Sequence, residues 1–204
     1  MSSTYLIDNE TSEYSFLSEI TSILSSSFNI KDTLSRIFEL LNEHLGLTKG
    51  ILTLLRPGSS SPTIEMVYGL TEEEMKHSAL LKWKMITEEV ISSQCPTIIP
   101  KLDDSTLLLG DHDTETLTDE SFICLPLSLS GEKIGTLSID CPFRDDETLY
   151  RNCRLLSIVT LMISQEIMLK RLLDSEKSVL RNENLKLRDE LHEKYNIHNM
   201  IGKS

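Results

Sequence analysis

No glycine or proline interrupts residues 146–200, and this absence of helix breakers constrains the fold more than any other feature of the 204-residue sequence. Glycine and proline both disfavour the interior of a helix, so a stretch without them can remain helical throughout. We expect one helix from about Asp145 to about Tyr195, with acidic residues in its first turn. At 1.5 Å per residue this helix is roughly 75 Å long, so its second half must project from a small domain.

A heptad pattern lies in the second half of this predicted helix. Leu173, Leu180 and Leu187 repeat every seven residues, and Lys177, Asn184 and Leu191 each follow four residues later. In a coiled coil the leucines occupy position d and Asn184 occupies position a, where a buried Asn favours two paired helices in register. The pattern predicts a parallel homodimer that pairs through Leu173, Leu180, Asn184, Leu187 and Leu191. A solvated single helix is the alternative.

Elsewhere the apolar spacing predicts helices at both ends of a mainly antiparallel sheet, which is an α+β architecture. Helices are predicted over 13–28, 31–45 and 87–93, with a further short helix opening after Thr71. Strands are predicted over 50–56, 63–68, 96–100, 121–129 and 133–140. We expect a loose N-terminus (1–12), a globular domain (13–170) and a helical linker (171–204). An apolar stripe on the last helix should pack on the sheet and on residues 13–45: Leu155, Val159, Met162, Leu169 and Leu173.

The charge balance and the cysteines exclude several classes of protein. The formal net charge is −12, and residues 101–120 form an acidic connection. Such a surface repels phosphate backbones, so the chain itself should not bind DNA or RNA. The four cysteines form no CxxC pair, which argues against a zinc ribbon. The sequence begins without a secretory signal and holds no apolar run of spanning length, so we expect a cytoplasmic protein without membrane contact.

Catalytic and metal-binding motifs are absent from the sequence. We find no Ser–His–Asp arrangement, no paired catalytic acids and no cluster of metal ligands, so we expect no catalytic residue and no metal site. Residues 111–115 carry acids at alternate positions, as the start of a calcium loop does. That loop needs Gly at its sixth position and Glu at its twelfth, where this chain has Thr116 and Phe122. An acidic solvated loop is the simpler interpretation.

One face of the predicted sheet carries unusually many polar residues. Alternation places Cys124, Ser128, Thr136, Ser138 and Asp140 on the same side of the last two strands. A solvent-facing surface would explain them, since antiparallel sheets often leave one face in water. The alternative is the floor of a ligand pocket, in which a few polar groups fix the orientation of a small molecule.

Several motifs, taken in order, resemble one known family. They are Tyr68-Gly-Leu-Thr-Glu-Glu-Glu74, Ser121-Phe-Ile-Cys-Leu-Pro126, Gly135-Thr-Leu-Ser-Ile-Asp140, Glu183-Asn-Leu-Lys-Leu-Arg-Asp-Glu-Leu191 and Asn199-Met-Ile-Gly-Lys-Ser204. Residues 13–170 resemble a GAF domain, and the whole chain resembles the amino-terminal regulatory region of NifA-like activators of sigma-54-dependent transcription. The resemblance implies that an AAA+ ATPase domain and a DNA-binding domain follow Ser204. Contact with DNA and with sigma-54 RNA polymerase would then occur only through those absent domains.

The same resemblance implies a sensor that binds a small molecule or a regulatory protein and controls the ATPase through a dimeric helical linker. Family ligands include 2-oxoglutarate, and cyclic nucleotides bind GAF domains elsewhere; the cofactor, if any, stays unknown. We expect the pocket to be lined by Tyr68, Trp83, Lys84, Cys124, Thr136 and Ser138, with Lys84 pairing with an anionic ligand. Residues 84–89 lack the glycine-rich turn that family members commonly have there.

Two other functions remain open at this point. The missing glycines favour a protein-interaction and dimerisation module that binds no small ligand. An enzyme is the third interpretation, because some GAF domains are free methionine sulfoxide reductases. In that case Cys95, Cys124 or Cys141 would supply the reactive thiol.

Overall fold

A computed structural model describes the backbone of residues 2–26, 29–59, 61–72, 75, 79–101 and 119–201. The chain divides into two compact units, residues 1–165 and 166–204. The predicted acidic loop around residues 111–115 and the residues after Ile201 lie outside the described residues. None of the described helices contains a stretch long and apolar enough to cross a membrane.

A five-stranded antiparallel sheet forms the centre of the first unit, as the sequence predicts. Its strands are β1 (Lys49–Leu55), β2 (Pro62–Tyr68), β3 (Thr97–Ile99), β4 (Glu120–Leu129) and β5 (Glu132–Pro142). Their spatial order is β2-β1-β5-β4-β3, with every neighbouring pair antiparallel. The short strand β3 lies at an edge, where its flanking residues Pro96 and Pro100 cost no ladder hydrogen bond. The α+β architecture predicted from the sequence is confirmed.

Four helices accompany the sheet, and two of them begin earlier than the sequence predicts. They are α1 (Ser2–Ser26), α2 (Ile30–Leu45), α3 (Ala79–Ser93) and α4 (Asp146–Ile201). Helix α1 extends through residues 2–12, where a loose segment is predicted. These residues are mostly polar, but none is Gly or Pro, so they can extend a helix that is already nucleated downstream. Helix α3 begins well before the predicted start at Thr87.

Helix α2 shows how local sequence sets the helix ends. Asn29 caps its N-terminus by accepting a hydrogen bond from the Lys31 backbone amide (3.1 Å). Gly46 ends it in the left-handed conformation (φ 68°), and its amide donates to the Asn42 carbonyl (2.9 Å). The buried side of α2 includes Phe38, which packs directly over Gly50 of β1. This contact places α2 against one face of the sheet.

Helix α4 matches only part of its predicted apolar stripe. Leu155 and Val159 are buried and Met162 is half-buried, as expected for the part within the first unit. Leu169 and Leu173, which the same stripe predicts to be packed, are exposed. The apolar spacing of α4 therefore continues beyond its buried residues.

Gly69, directly after β2, provides a test of the hairpin geometry. It has φ +70°, and a Cβ there would lie 2.0 Å from the Thr48 carbonyl oxygen. Gly58 has a similar φ (+78°) with open space around it. Both Ala substitutions incur the left-handed strain, but only Gly69→Ala adds a backbone collision. We expect G69A to lower the free energy of unfolding by about 1–3 kcal/mol more than G58A, measured by urea denaturation. Equal losses would show that the Gly69–Thr48 contact is not present in solution.

Candidate functional site

Helix α3 covers the sheet face opposite to α2. In the strand register Ile51 lies beside Ser138, and Ser138 lies beside Cys124, so these three residues point to the same side. On α3 the residues Trp83, Thr87 and Val90 recur at helical spacing and are all buried. One apolar cluster joins the helix to the sheet: Ile51, Trp83, Val90, Phe122 and Cys124. The Lys133 ammonium group fixes the end of α3 by donating to the Ser92 carbonyl (2.9 Å).

The polar row predicted on this face is buried rather than solvated. Thr136 and Ser138 are fully buried, and Asp140 is only 2% exposed. Ser128 alone is half-buried, following a register shift in β4 between Leu127 and Ser128. The solvent-facing interpretation of the row is therefore wrong, because α3 lies over these strands.

Most hydroxyl groups in the row are satisfied within the sheet. The Thr53 and Thr136 hydroxyls share a hydrogen bond of 2.7 Å, and Ser138 donates to the Cys124 sulfur at 3.2 Å. These pairs cross neighbouring strands, so they fix the side chains in place and reduce the cost of burying them.

Two of the three cysteines expected in a reductase, Cys124 and Cys141, do not have the environment of reactive thiols. Burial raises the pKa of the Cys124 thiol to about 11, even though Ser138 and Thr136 oppose the shift by hydrogen bonding. Burial likewise raises the pKa of Cys141. Thiolates are the nucleophiles in cysteine chemistry, so both groups are protonated and inert at neutral pH. Cys95 is exposed.

Three buried polar atoms have no hydrogen-bond partner among the residues that the structure describes. They are Trp83 Nε1, Thr87 Oγ1 and Asp140 Oδ1. Trp83 and Thr87 are on the sheet side of α3, and Asp140 continues the polar row of β5. Leaving such groups unpaired costs about 1–3 kcal/mol each. Because all three belong to the layer where α3 packs on the sheet, we take this layer as the candidate site.

Asp140 has an unusual electrostatic environment within this layer. Burial raises its pKa from 3.8 to about 8, and the neighbouring Glu120 carboxylate adds to the increase. Lys49, the register partner of Asp140 on β1, opposes it. The Asp140 side chain is therefore mostly uncharged at neutral pH.

The structure brings together four of the six predicted pocket residues. Trp83, Cys124, Thr136 and Ser138 all lie in the layer between α3 and the sheet. Tyr68 lies on the opposite face, since it pairs with Gly50 and stacks on Phe38 with ring centroids 5.8 Å apart. Lys84 follows Trp83 on α3 but points to solvent, 61% exposed and 4.0 Å from Glu88.

Thr53 and Thr87 were not expected at the site, and Asp140 was expected on the polar sheet face but not among the six pocket residues. The spacing of Thr87 four residues after Trp83 could have indicated it, because i and i+4 share a helix face. No group of three or more potential metal ligands occurs among the described residues.

The heptad leucines form a second candidate surface, in the unit of residues 166–204. Leu180 and Leu187 are 62% and 59% exposed, and Leu173 is also exposed. Asn184 lies with Leu180 and Leu185 along a shallow groove that Arg181 and Arg188 border. The side chain of Leu191 lies outside the described residues.

The raised pKa of Asp140 predicts a specific dependence of stability on pH. The folded state holds this proton to about pH 8, whereas the unfolded chain loses it near pH 4. Stability should therefore fall between those values by up to about 1.4 kcal/mol per pH unit from this group. Asp140→Asn removes the titration, so its free energy of unfolding should exceed that of the wild type increasingly as pH rises. Urea denaturation from pH 5 to 9 measures this.

Asp119→Asn is the control for the pH series, because Asp119 is exposed. Its profile should match that of the wild type. If D140N also followed the wild-type profile, the Asp140 carboxyl would have to be ionised in the folded protein, contrary to the burial described above.

Comparisons with curated proteins find nitrogen fixation proteins and Nif-specific regulatory proteins. The Nif-specific regulatory protein of Herbaspirillum seropedicae is 28% identical over 191 residues, covering 90% of this chain and 34% of its own length. The nitrogen fixation protein AnfA of Azotobacter vinelandii is 26% identical over 190 residues, covering 92% of this chain and 36% of its own length. The chain thus spans about a third of the relatives that it matches. No protein-family model matches the chain.

Solved structures establish the fold. The GAF domain of nlh2 from A. aeolicus, in an inactive state, superimposes with a TM-score of 0.61 at 19% identity, over 79% of this chain and 98% of that one. Free methionine-R-sulfoxide reductase from Neisseria meningitidis, in complex with its substrate, gives 0.56 at 16% identity, over 78% and 90%. The chain has the GAF fold, and its homologues are Nif-specific regulatory proteins.

Proposed function

We propose that this chain is the sensor region of a Nif-type transcriptional activator and that it binds a small molecule between α3 and the sheet. Homology to nitrogen-fixation regulators supports the regulatory role. One observation carries the ligand: the three unpartnered atoms of Trp83, Thr87 and Asp140 lie in a single buried layer. A ligand with complementary groups would supply the hydrogen bonds that these atoms lack.

The homologous proteins are about three times as long as this chain, so we propose that further domains act together with it. A downstream AAA+ ATPase and a DNA-binding domain would receive the signal and act with sigma-54 RNA polymerase in the cytoplasm. The inert environment of Cys124 and Cys141 favours this sensor over a reductase, although the reductase shares the fold. A purely structural interaction module would have no need of unpaired polar atoms in its interior.

We further propose that two copies pair through the heptad segment of α4. With leucines at d and Asn184 at a, the flanking g positions hold Glu176 and Glu183, and the flanking e positions hold Arg181 and Arg188. In a parallel in-register dimer, each g residue meets the e residue five positions later on the partner helix, so Glu176 faces Arg181 and Glu183 faces Arg188. An antiparallel arrangement would bring Glu to Glu and Arg to Arg. The charges therefore favour the parallel dimer.

Charge reversal tests this pairing. The double variant E176K/E183K places positive charge at every g and e position named above, and R181E/R188E places negative charge there. Each variant alone should dimerise at least tenfold more weakly than the wild type, because four favourable pairs become repulsive and exposed pairs contribute about 0.2–1 kcal/mol each. An equimolar mixture should recover as a heterodimer. Sedimentation equilibrium measures all three cases.

The exposed pair Lys84 and Glu88 on α3 supplies a control, since K84E lies outside the heptad segment and should leave dimerisation unchanged. A wild-type chain that stays monomeric at high concentration contradicts the dimer. Unaltered dimerisation of both double variants contradicts its parallel register.

Two matched threonine substitutions test the ligand site without any ligand. Thr87→Val removes a buried hydroxyl that has no partner, so it should raise the free energy of unfolding by about 1 kcal/mol. Thr136→Val removes a hydroxyl bonded to Thr53, so it should lower stability by a similar amount because Thr53 loses its partner. Urea denaturation of the ligand-free chain measures both. If T87V were as destabilising as T136V, the Thr87 hydroxyl would already be satisfied and the site would need no ligand.

A further inference from the structure

A small pit lies where α2, which packs on the sheet face opposite to α3, meets α1 and the beginning of α4. It has a volume of about 70 Å³ and belongs wholly to the first unit. All three helices line it: Ser12, Glu13 and Phe16 of α1, His44 and Leu45 of α2, and Arg151, Asn152 and Leu155 of α4. A cavity of this size holds a few water molecules or a ligand of only a few non-hydrogen atoms.

The floor of this pit is buried and its rim is accessible to solvent. Phe16 and Leu155 supply apolar walls that are 1% and 8% exposed. Asn152 lies beside them, 7% exposed, and none of the side-chain hydrogen bonds among the described residues reaches its carboxamide. A buried carboxamide in this state has two donors and an acceptor available for a ligand. The pit is therefore lined for polar contact and is not a mere gap in apolar packing.

Two side chains of opposite charge stand on the rim. Arg151 Nε lies 3.7 Å from Glu13 Oε1, and the two side chains are 35% and 38% exposed. That distance exceeds the length of a hydrogen bond, about 2.7–3.2 Å, so this ion pair leaves donors of the guanidinium group and acceptors of the carboxylate available. A guanidinium group binds a carboxylate through two parallel N–H donors, and a carboxylate accepts readily from an ammonium group. The His44 ring packs on Phe16, with centroids 4.7 Å apart, and forms the wall on the α2 side.

We propose that this pit binds a small zwitterion of the amino-acid type, of which glycine is the smallest. The carboxylate of the ligand pairs with Arg151, its ammonium group pairs with Glu13, and the Asn152 carboxamide supplies a further hydrogen bond. Each end of a zwitterion thus meets the opposite charge, whereas an anion or a cation of the same size meets it at one end only. Because Glu13 belongs to α1 and Arg151 to α4, the bound ligand ties these two helices together. The pit is separate from the layer beneath α3, so this inference does not rest on the ligand proposed there.

Matched probes test the requirement for both charges. Acetate is glycine without its ammonium group, and methylammonium is glycine without its carboxylate. We would label the full 204-residue chain with ¹⁵N and follow the side-chain amide peaks of Asn152 while adding each probe at neutral pH. Glycine should shift these peaks saturably at millimolar concentrations, because so small a ligand makes few contacts. Acetate and methylammonium should bind at least tenfold more weakly, since each lacks one charged hydrogen-bonding group.

Four variants locate the effect. Arg151→Gln and Glu13→Gln each remove one charge from the rim and should weaken glycine binding at least tenfold. Both side chains are partly exposed, so we expect both variants to fold. Arg154→Gln is the matched control, because Arg154 is an exposed arginine of the same helix that does not line the pit. This control, and Thr87→Val in the layer beneath α3, should bind glycine as the wild type does.

Any other pattern of results overturns the inference. Acetate or methylammonium binding as tightly as glycine would make the pit a site for a single charge. The absence of a saturable shift with glycine would remove the site altogether. A glycine response that R151Q and E13Q both retain, or that T87V abolishes, would place binding elsewhere. None of these results bears on the ligand proposed beneath α3, because the comparison of T87V with T136V tests that layer without any ligand.

Discussion

The burial of polar side chains between α3 and the sheet is the constraint on which the rest of this structure depends, because each buried polar group loses its hydrogen bonds to water. Thr53, Thr136 and Ser138 replace those bonds with hydrogen bonds across neighbouring strands. Trp83, Thr87 and Asp140 each keep one unpaired atom in the same layer. A purely structural core would be more stable with apolar groups at those three positions. Their retention is what distinguishes the α3 face from the apolar packing on the α2 face.

The two faces of the sheet thus differ in the side chains that they bury. On the α2 side, Phe38 packs over Gly50 and stacks with Tyr68, which is ordinary core packing. On the α3 side, Lys133 holds the end of the helix at Ser92. A ligand that satisfies the layer would favour the arrangements of α3 that suit it. Such a preference becomes a signal only if those arrangements also differ in how two chains pair through α4.

Much of the fold could be predicted because it depends on local patterns. Alternation and turn residues give each strand to within a residue or two, and Gly46 marks the end of α2. The early starts of α1 and α3 were missed for opposite reasons. Residues 2–12 are mostly polar yet contain no Gly or Pro, and the buried side of α3 includes Thr87, which interrupts the apolar periodicity.

The site was less predictable because it depends on long-range packing. Alternation correctly grouped Cys124, Thr136 and Ser138 but could not reveal that α3 covers them. Tyr68 was misplaced because its side of the sheet is set by its pairing with Gly50. Lys84 is adjacent to Trp83 in sequence, yet one residue turns a helix by about 100° and directs its ammonium group to solvent.

Native mass spectrometry of the chain, purified gently from cells, tests the account most directly. The account predicts a mass equal to two chains with a small molecule bound to each. A mass equal to one bare chain at every protein concentration would contradict both the occupied layer beneath α3 and the pairing of the heptad helices.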